Sequence, residues 1–209
     1  MSKALIIVFV KNIELGEVKT RLAKTIGDYG AFEVYSQLVG LTENITTQLD
    51  IDKHIYFSKT IEDNYWPKEL KTIQRGKDLG ERMQNAFKDA FHSGYDRVVL
   101  IGSDLPDLKT SHILKSIEAL SHKDVVFGPA VDGGYYLIGL NKIIPQIFND
   151  KPWSQSQLLN ETLQELDELG YTTAMLEPLN DIDTYEDLVA SEFYKSNSKL
   201  QQKIQQLND

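Results

Sequence analysis

Short runs of β-branched and aromatic residues recur along this chain, and stretches of helical period separate them. The apolar runs are ALIIVFV (4–10), HIYFS (54–58), a shorter run at 71–74, RVVLI (97–101), DVVFG (124–128), YYLIGL (135–140) and a last one at 171–176. Between them, helical periods cover 31–49 after a Gly27-Asp28 break, then 79–92, 111–120, 155–169 and 184–194. Strands joined through helices need crossover connections, which make neighbouring strands parallel and place helices on the sheet. The pattern therefore predicts an α/β chain with a mainly parallel sheet and helices on both faces. In 79–92 the residues Leu79, Met83, Ala86, Phe87 and Ala90 share one face, as an amphipathic helix requires. The order of the strands does not follow from the pattern.

No repeat or Pro/Gly/Ser-rich linker divides the chain, so residues 1–195 read as one domain. Residues 196–209 form a Gln- and Lys-rich helical tail, in which Leu200, Ile204 and Leu207 give a thin apolar stripe. A peripheral helix packed on the domain is expected there. With 209 residues the chain can bury a sizeable core. The net charge of −9 argues against a nucleic-acid partner, which would need a basic face. It leaves room for nucleotides, since a few local cations outweigh a distant negative field. There is no cysteine, hence no disulfide, thiolate metal site or Cys nucleophile. The run 4–10 is too short for a membrane span and lacks signal-peptide flanks, so a cytoplasmic protein is expected.

Charged residues cluster where these strands should end. After the first strand, ELGEVKTRLAK offers Lys19, Arg21 and Lys24, with Gly16 able to bring backbone N–H groups near an anion. The spacing of a P-loop is absent, and a solvated basic loop is the plain alternative. After RVVLI comes GSDLPD, in which Ser103, Asp104 and Asp107 leave the strand. Pro106 stiffens that turn; Asp107 suits a capping role, and Asp104 is the better metal ligand. In GPAVDGGYYLIGL, Asp132 sits beside Gly133-Gly134, which fits either a ligand approaching the backbone or a hairpin turn. RGKDLGERM places Asp78, Gly80, Glu81 and Arg82 at a helix entry, where a nucleotide or ordinary capping would account for them. Near the end, NDIDTYED puts Asp181 and Asp183 before a helix that Asp183 or Thr184 can cap. The two aspartates alternate along an extended segment and need not face the same way. Ser154 is expected to cap the helix that follows it, and the four histidines show no ligand spacing. Cations after the first strand and carboxylates after later ones suit a nucleotide di- or triphosphate with Mg²⁺ or Mn²⁺.

The strings FVKNIELGEVKTRLAK, KDLGERM, IGSDLPDL, GPAVDGGYYLIGL followed by WS, and DIDTYEDL occur in this order. Together they resemble a bacterial family of glycosyltransferase-A-type, nucleotide-diphospho-sugar transferase-like proteins associated with radical-SAM and selenium-domain proteins. The resemblance covers residues 4–190. VKTRLA and DIDT-x-EDL are also similar to 2-phospho-lactate guanylyltransferases and, more distantly, the chain resembles molybdenum-cofactor nucleotidyltransferases. The resemblance implies a Rossmann-like nucleotide-diphospho-sugar transferase fold. It implies phosphate contacts from Lys19 and Arg21, metal ligation by Asp104 and by Asp181 or Asp183, and an acceptor-facing Asp132. Where that family has proline in DIDTPED, this chain has Tyr185. The expected activity is a metal-dependent transferase using a nucleotide sugar or a nucleoside triphosphate. Asp132, Lys19 and Arg21 would be catalytic, and Gly16, Asp78, Gly80, Ser103, Gly133 and Gly134 would line the nucleotide site. The alternative is a non-catalytic nucleotide-binding module that assists a partner enzyme.

Overall fold

A computed structural model of the chain describes residues 3–208. Seven strands form one sheet in the order β3-β2-β1-β4-β6-β5-β7. They are β1 (Ala4–Val10), β2 (Asp52–Phe57), β3 (Leu70–Ile73), β4 (Arg97–Ile101), β5 (Val125–Pro129), β6 (Tyr135–Leu140) and β7 (Thr173–Met175). Every pairing is parallel except those of β6, which runs antiparallel to β4 and β5. The α/β, mainly parallel architecture read from the sequence is the one observed. The reversal of β6 comes from a tight β5–β6 hairpin. Gly133 N–H donates to the Ala130 carbonyl and Gly134 N–H to Asp132 Oδ1, so the Asp-Gly pair supplies the turn geometry.

Both faces of the sheet are covered, which is why β1 reads as an unbroken apolar run. Ile6, Val8 and Val10 face one way. They pack with Ile55, Phe57, Val99 and Ile101 under Tyr35 and Val39 of α1 (Thr20–Thr47) and Ile113 and Ile117 of α3 (Thr110–Ala119). Leu5, Ile7 and Phe9 face the other way, toward α2 (Leu79–His92) and α4 (Leu158–Glu168). A third cluster lies beside the sheet. In it Leu22, Ile26, Val34 and Leu38 of α1 meet Leu188 of α5 (Tyr185–Ala190) and Leu200 and Ile204 of α7 (Ser198–Asn208). The tail therefore packs on α1, as its stripe suggests, although Leu207 is exposed.

Three local expectations are corrected. The first helix begins at Thr20, well before residue 31, and continues through a kink at Gly27, whose φ of 71° and ψ of 165° interrupt it. The Gly27-Asp28 break was legible, but the helical turn ahead of it was not. The helix expected over 184–194 is broken at Ser191, which stands extended between α5 and the short α6 (Glu192–Lys195). Ser154 caps nothing: α4 starts at Leu158, and Ser154 holds a left-handed backbone with φ 64°. Among the described residues no helix is long and apolar enough to cross a membrane.

Candidate active site

The chain leaves β1, winds outward through β2 and β3, then returns to place β4 on the other side of β1. That reversal opens a crevice at the carboxyl ends of β1 and β4, where open α/β sheets bind ligands. Four connections meet there: those after β1, β4 and β7, and the β5–β6 hairpin, which reaches the same edge because β6 runs backwards. Backbone bonds tie them together. Val131 N–H donates to the Leu179 carbonyl and Leu179 N–H to the Pro129 carbonyl, joining the hairpin to the segment after β7. Ile182 N–H donates to the Asp104 carbonyl at 3.5 Å, joining that segment to the loop after β4.

At the centre is Lys19, in left-handed conformation just ahead of α1 with φ 47°. Its side chain is only 6% exposed, and its Nζ lies 3.0 Å from Asp104 Oδ2 and 3.7 Å from Asp183 Oδ1. Arg21, largely exposed, donates to Asp183 Oδ2 at 2.9 Å. Burial works against the Lys19 charge, but Asp104, Asp181 and Asp183 outweigh it and hold the ammonium above its ordinary pKa. The half-buried Asp181 has its pKa pushed up to about 6. Burial is the main cause; repulsion from Asp104, Asp132 and Asp183 adds to it, and Lys19 opposes it. The electrostatics thus place three carboxylates around one buried cation, with Asp132 acting on Asp181.

Two chambers flank Asp104. One, about 240 Å³, is lined by Lys11, Val18, Lys19, Thr20, Arg21, Tyr35, Asp104 and Asp183. The other, about 260 Å³, is bounded by Asp104, Asp132 and Asp181 and otherwise mainly by apolar and aromatic side chains, among them Met83, Tyr135, Trp153 and Leu158. Between Asp181 and Asp183, Ile182 is buried in the third cluster with α1, α5 and α7. Anchoring Ile182 sends its neighbours apart, Asp181 to the apolar chamber and Asp183 to the basic one. The segment after β7 is also pinned by His112, which is 2% exposed. Its Nδ1 accepts from Lys109 N–H at 3.1 Å, so the proton sits on Nε2, which meets Glu177 Oε1 at 2.6 Å. Sequence spacing gave this histidine no partner because Glu177 is far along the chain.

The structure therefore brings together Lys19, Arg21, Asp104, Asp132, Asp181 and Asp183, with Gly134 on the wall of the apolar chamber. It places the other candidates differently. Ser103 is buried, and its hydroxyl pairs with Tyr35 at 2.9 Å beneath the basic chamber. Asp78 caps α2 by accepting from Glu81 N–H at 2.8 Å and lines neither chamber. Gly80 has no room for a side chain: a Cβ would lie 2.3 Å from the Phe148 carbonyl and 2.6 Å from the Trp153 ring. It seats Trp153 against α2. At Gly133, with φ 91°, a Cβ would fall 1.9 Å from the Ser156 carbonyl, so this glycine packs hairpin on loop. Gly16 is exposed with φ 78° and lines neither chamber. Thr184, not Asp183, caps α5, in a reciprocal box with Asp187. Lys11, Tyr35, Met83, Tyr135 and Trp153 also line the chambers, though none is among the site residues read from the sequence. Lys11 follows β1 directly and could have been found from that position.

Among the described residues no three acidic or histidine side chains converge as a ready-made metal site. The donor chemistry still suits a hard cation. Asp104, Asp181 and Asp183 are oxygen donors, and their crowding, seen at Asp181, is what a divalent ion would relieve. One or two carboxylates completed by water and phosphate oxygens are the usual holding for Mg²⁺.

Solved structures carry the same fold. A candidate nucleotide-diphospho-sugar transferase from Desulfovibrio desulfuricans G20 superposes with a TM-score of 0.85 at 32% identity, covering 98% of this chain and 99% of that one. CMP:2-keto-3-deoxy-manno-octonic acid synthetase complexed with CTP matches with a TM-score of 0.58 at 11% identity, over 97% of this chain and 100% of that one. Rv0371c of Mycobacterium tuberculosis H37Rv, in a complex with manganese, matches with a TM-score of 0.55 at 11% identity, over 90% and 97%. No curated protein matches the sequence. The pattern of the family described as "Uncharacterized protein conserved in bacteria (DUF2064)" matches residues 42–155, from α1 through the wall of the apolar chamber, and the chain belongs to that family.

Proposed function

We propose that this protein is a transferase acting on an activated nucleotide, a nucleotide sugar or a nucleoside triphosphate, with Mg²⁺ or Mn²⁺. The observation that carries this reading is Lys19, buried between Asp104 and Asp183 at the β1/β4 crevice. The donor's phosphates occupy the basic chamber, where Lys11, Lys19 and Arg21 supply charge and hydrogen bonds. Asp104, with Asp183 or Asp181, would hold the metal, which would supply charge neutralisation to the phosphates. Lys19 and Arg21 stabilise the charge that develops on the leaving phosphate. In the transfer step an acceptor oxygen bonds to the anomeric carbon or to the α-phosphorus. The bond to the leaving nucleoside diphosphate or pyrophosphate breaks with its electron pair, and the acceptor's proton passes to Asp132. The Desulfovibrio relative favours the sugar nucleotide, while the CTP-bound fold neighbour keeps the triphosphate in view.

A second reading has its own support. Lys19 and Arg21 already pair with Asp104 and Asp183, so each of these two cations has a partner without ligand, as a non-catalytic nucleotide-binding module would allow. Phosphorus NMR of the protein with nucleoside triphosphates and nucleotide sugars, Mg²⁺ and a panel of acceptors separates the two. Release of nucleoside diphosphate or pyrophosphate is expected. Metal-dependent binding without product from any acceptor would leave only the module.

A further inference from the structure

We infer that the apolar chamber receives the second substrate, and that this substrate is a small phosphate-free alcohol. Its hydroxyl meets the carboxylates, and its apolar body lies against Met83, Tyr135 and Trp153. The inference rests on the transferase reading above and narrows the acceptor class within it. Among the described residues none that lines this chamber is lysine, arginine or histidine, and its charged residues are Asp104, Asp132 and Asp181. The side chains lining it offer a phosphate three carboxylates and no cationic donor. Phosphate-binding capacity lies across Asp104, in the chamber of Lys11, Lys19 and Arg21. The two chambers are thus divided by chemistry, one for anions and one for an apolar body bearing a group that gives up a proton.

The apolar wall is built into the fold. Gly80 lets the Trp153 ring lie where a Cβ would collide with it, and Gly133 lets the loop before α4 close on the hairpin. A chamber of about 260 Å³ is near the lower end for small-molecule sites, roughly 300–1,000 Å³, so the occupant is a small molecule.

The chain's two tryptophans make the test site-specific. Trp66 is fully buried under the opposite face of the sheet, whereas Trp153 lines the chamber. In ¹⁵N-labelled protein the Trp153 indole signal, assigned by its loss in Trp153→Phe, is followed against 2-phenylethanol and against 2-phenylethyl phosphate. The alcohol should move Trp153 saturably and leave Trp66 still, with the phosphate ester at least tenfold weaker. Leu79→Lys, at an exposed position on the chamber wall, should bring the two affinities within threefold. Equal affinities in the unmodified protein, or a Trp153 signal that neither probe moves, would overturn the inference. So would a nucleoside monophosphate that moves Trp153 while the alcohol does not. A parallel titration with nucleotide and Mn²⁺, in the unmodified protein and in Lys19→Ala, keeps the readings apart. Failure of nucleotide binding with the alcohol preference intact would remove the transferase reading and leave the chamber's preference standing.

Discussion

Lys19 is held in a left-handed backbone conformation, which costs a non-glycine residue roughly 1–2 kcal/mol. The ion pairs to Asp104 and Asp183 offset that cost in the empty protein and are available to phosphate in the bound one. Lys19→Ala should therefore weaken di- or triphosphate binding more than nucleoside binding, by roughly the 1.5–3 kcal/mol of a charge-assisted contact. Arg21→Ala should do the same less strongly, because Arg21 is largely exposed. Calorimetric titrations with nucleoside and nucleotide check both, and equal losses for the two ligands would mean a structural role. Asp181 makes the opposite prediction for stability. With its pKa raised to about 6, the folded state binds more protons than the unfolded state between about pH 4 and pH 6. Its contribution to stability is present below that window and is lost as pH rises through about 6. Asp181→Asn should accordingly be more stable than the parent at pH 7.5, by on the order of 1–2 kcal/mol after solvent screening, and should show no gain at pH 4. Denaturant melts at the two pH values test this; a variant less stable at pH 7.5 would show that Asp181 is compensated in the fold.

At the scale of elements, the site is a set of loops kept in register by a few buried polar groups. Asn12 is 3% exposed. Its amide nitrogen donates to the Thr60 carbonyl and hydroxyl and to Glu62 Oε1, and its oxygen accepts from Ser58 Oγ and from the N–H groups of Lys59 and Thr60. It thereby clamps the loop after β1, which carries Lys19, to the loop after β2. Asn12→Ala strands several of those partners and should cost about 2–3 kcal/mol in chemical denaturation. Hydrogen exchange should quicken in both loops; unchanged protection would mean that the loops hold without the clamp. Such a hub has no local signature, because its partners lie over forty residues away in the chain. Much of the rest was legible. Every strand and its approximate limits followed from apolar runs, and the place of Asp104, Lys19 and Asp132 at the crevice was legible because they stand where runs end. What the sequence hid was non-local: the reversal of β6, the strand order, and the aromatic wall of Trp153 and Tyr135. Both stand in the motif strings, but nothing in their spacing shows that they share one wall. Asp78 and Ser103, singled out by motif position, each make a hydrogen bond within the fold, to Glu81 N–H and to Tyr35.

Across the whole molecule, the third hydrophobic cluster couples the tail to the chemistry. Leu200 and Ile204 of α7 pack with Leu22 and Ile26 of α1 and with Ile182, the residue that separates Asp181 from Asp183. Replacing both Leu200 and Ile204 by alanine should cost ~4–10 kcal/mol if the two add as core truncations. It should also weaken nucleotide binding, although neither residue lines the basic chamber. Thermal melts paired with binding titrations check this, and a destabilised variant with unaltered affinity would uncouple tail from site. The central claim concerns the division of labour at the β1/β4 crevice, with a metal on Asp104 and phosphates on Lys19. It is tested most directly by titrating nucleoside triphosphate and nucleotide sugar, with and without Mn²⁺, into the parent protein and Asp104→Asn. The account predicts Mn²⁺-strengthened binding in the parent and loss of that dependence in the variant, with the fold intact by circular dichroism. Binding with unchanged Mn²⁺ dependence in Asp104→Asn would contradict it.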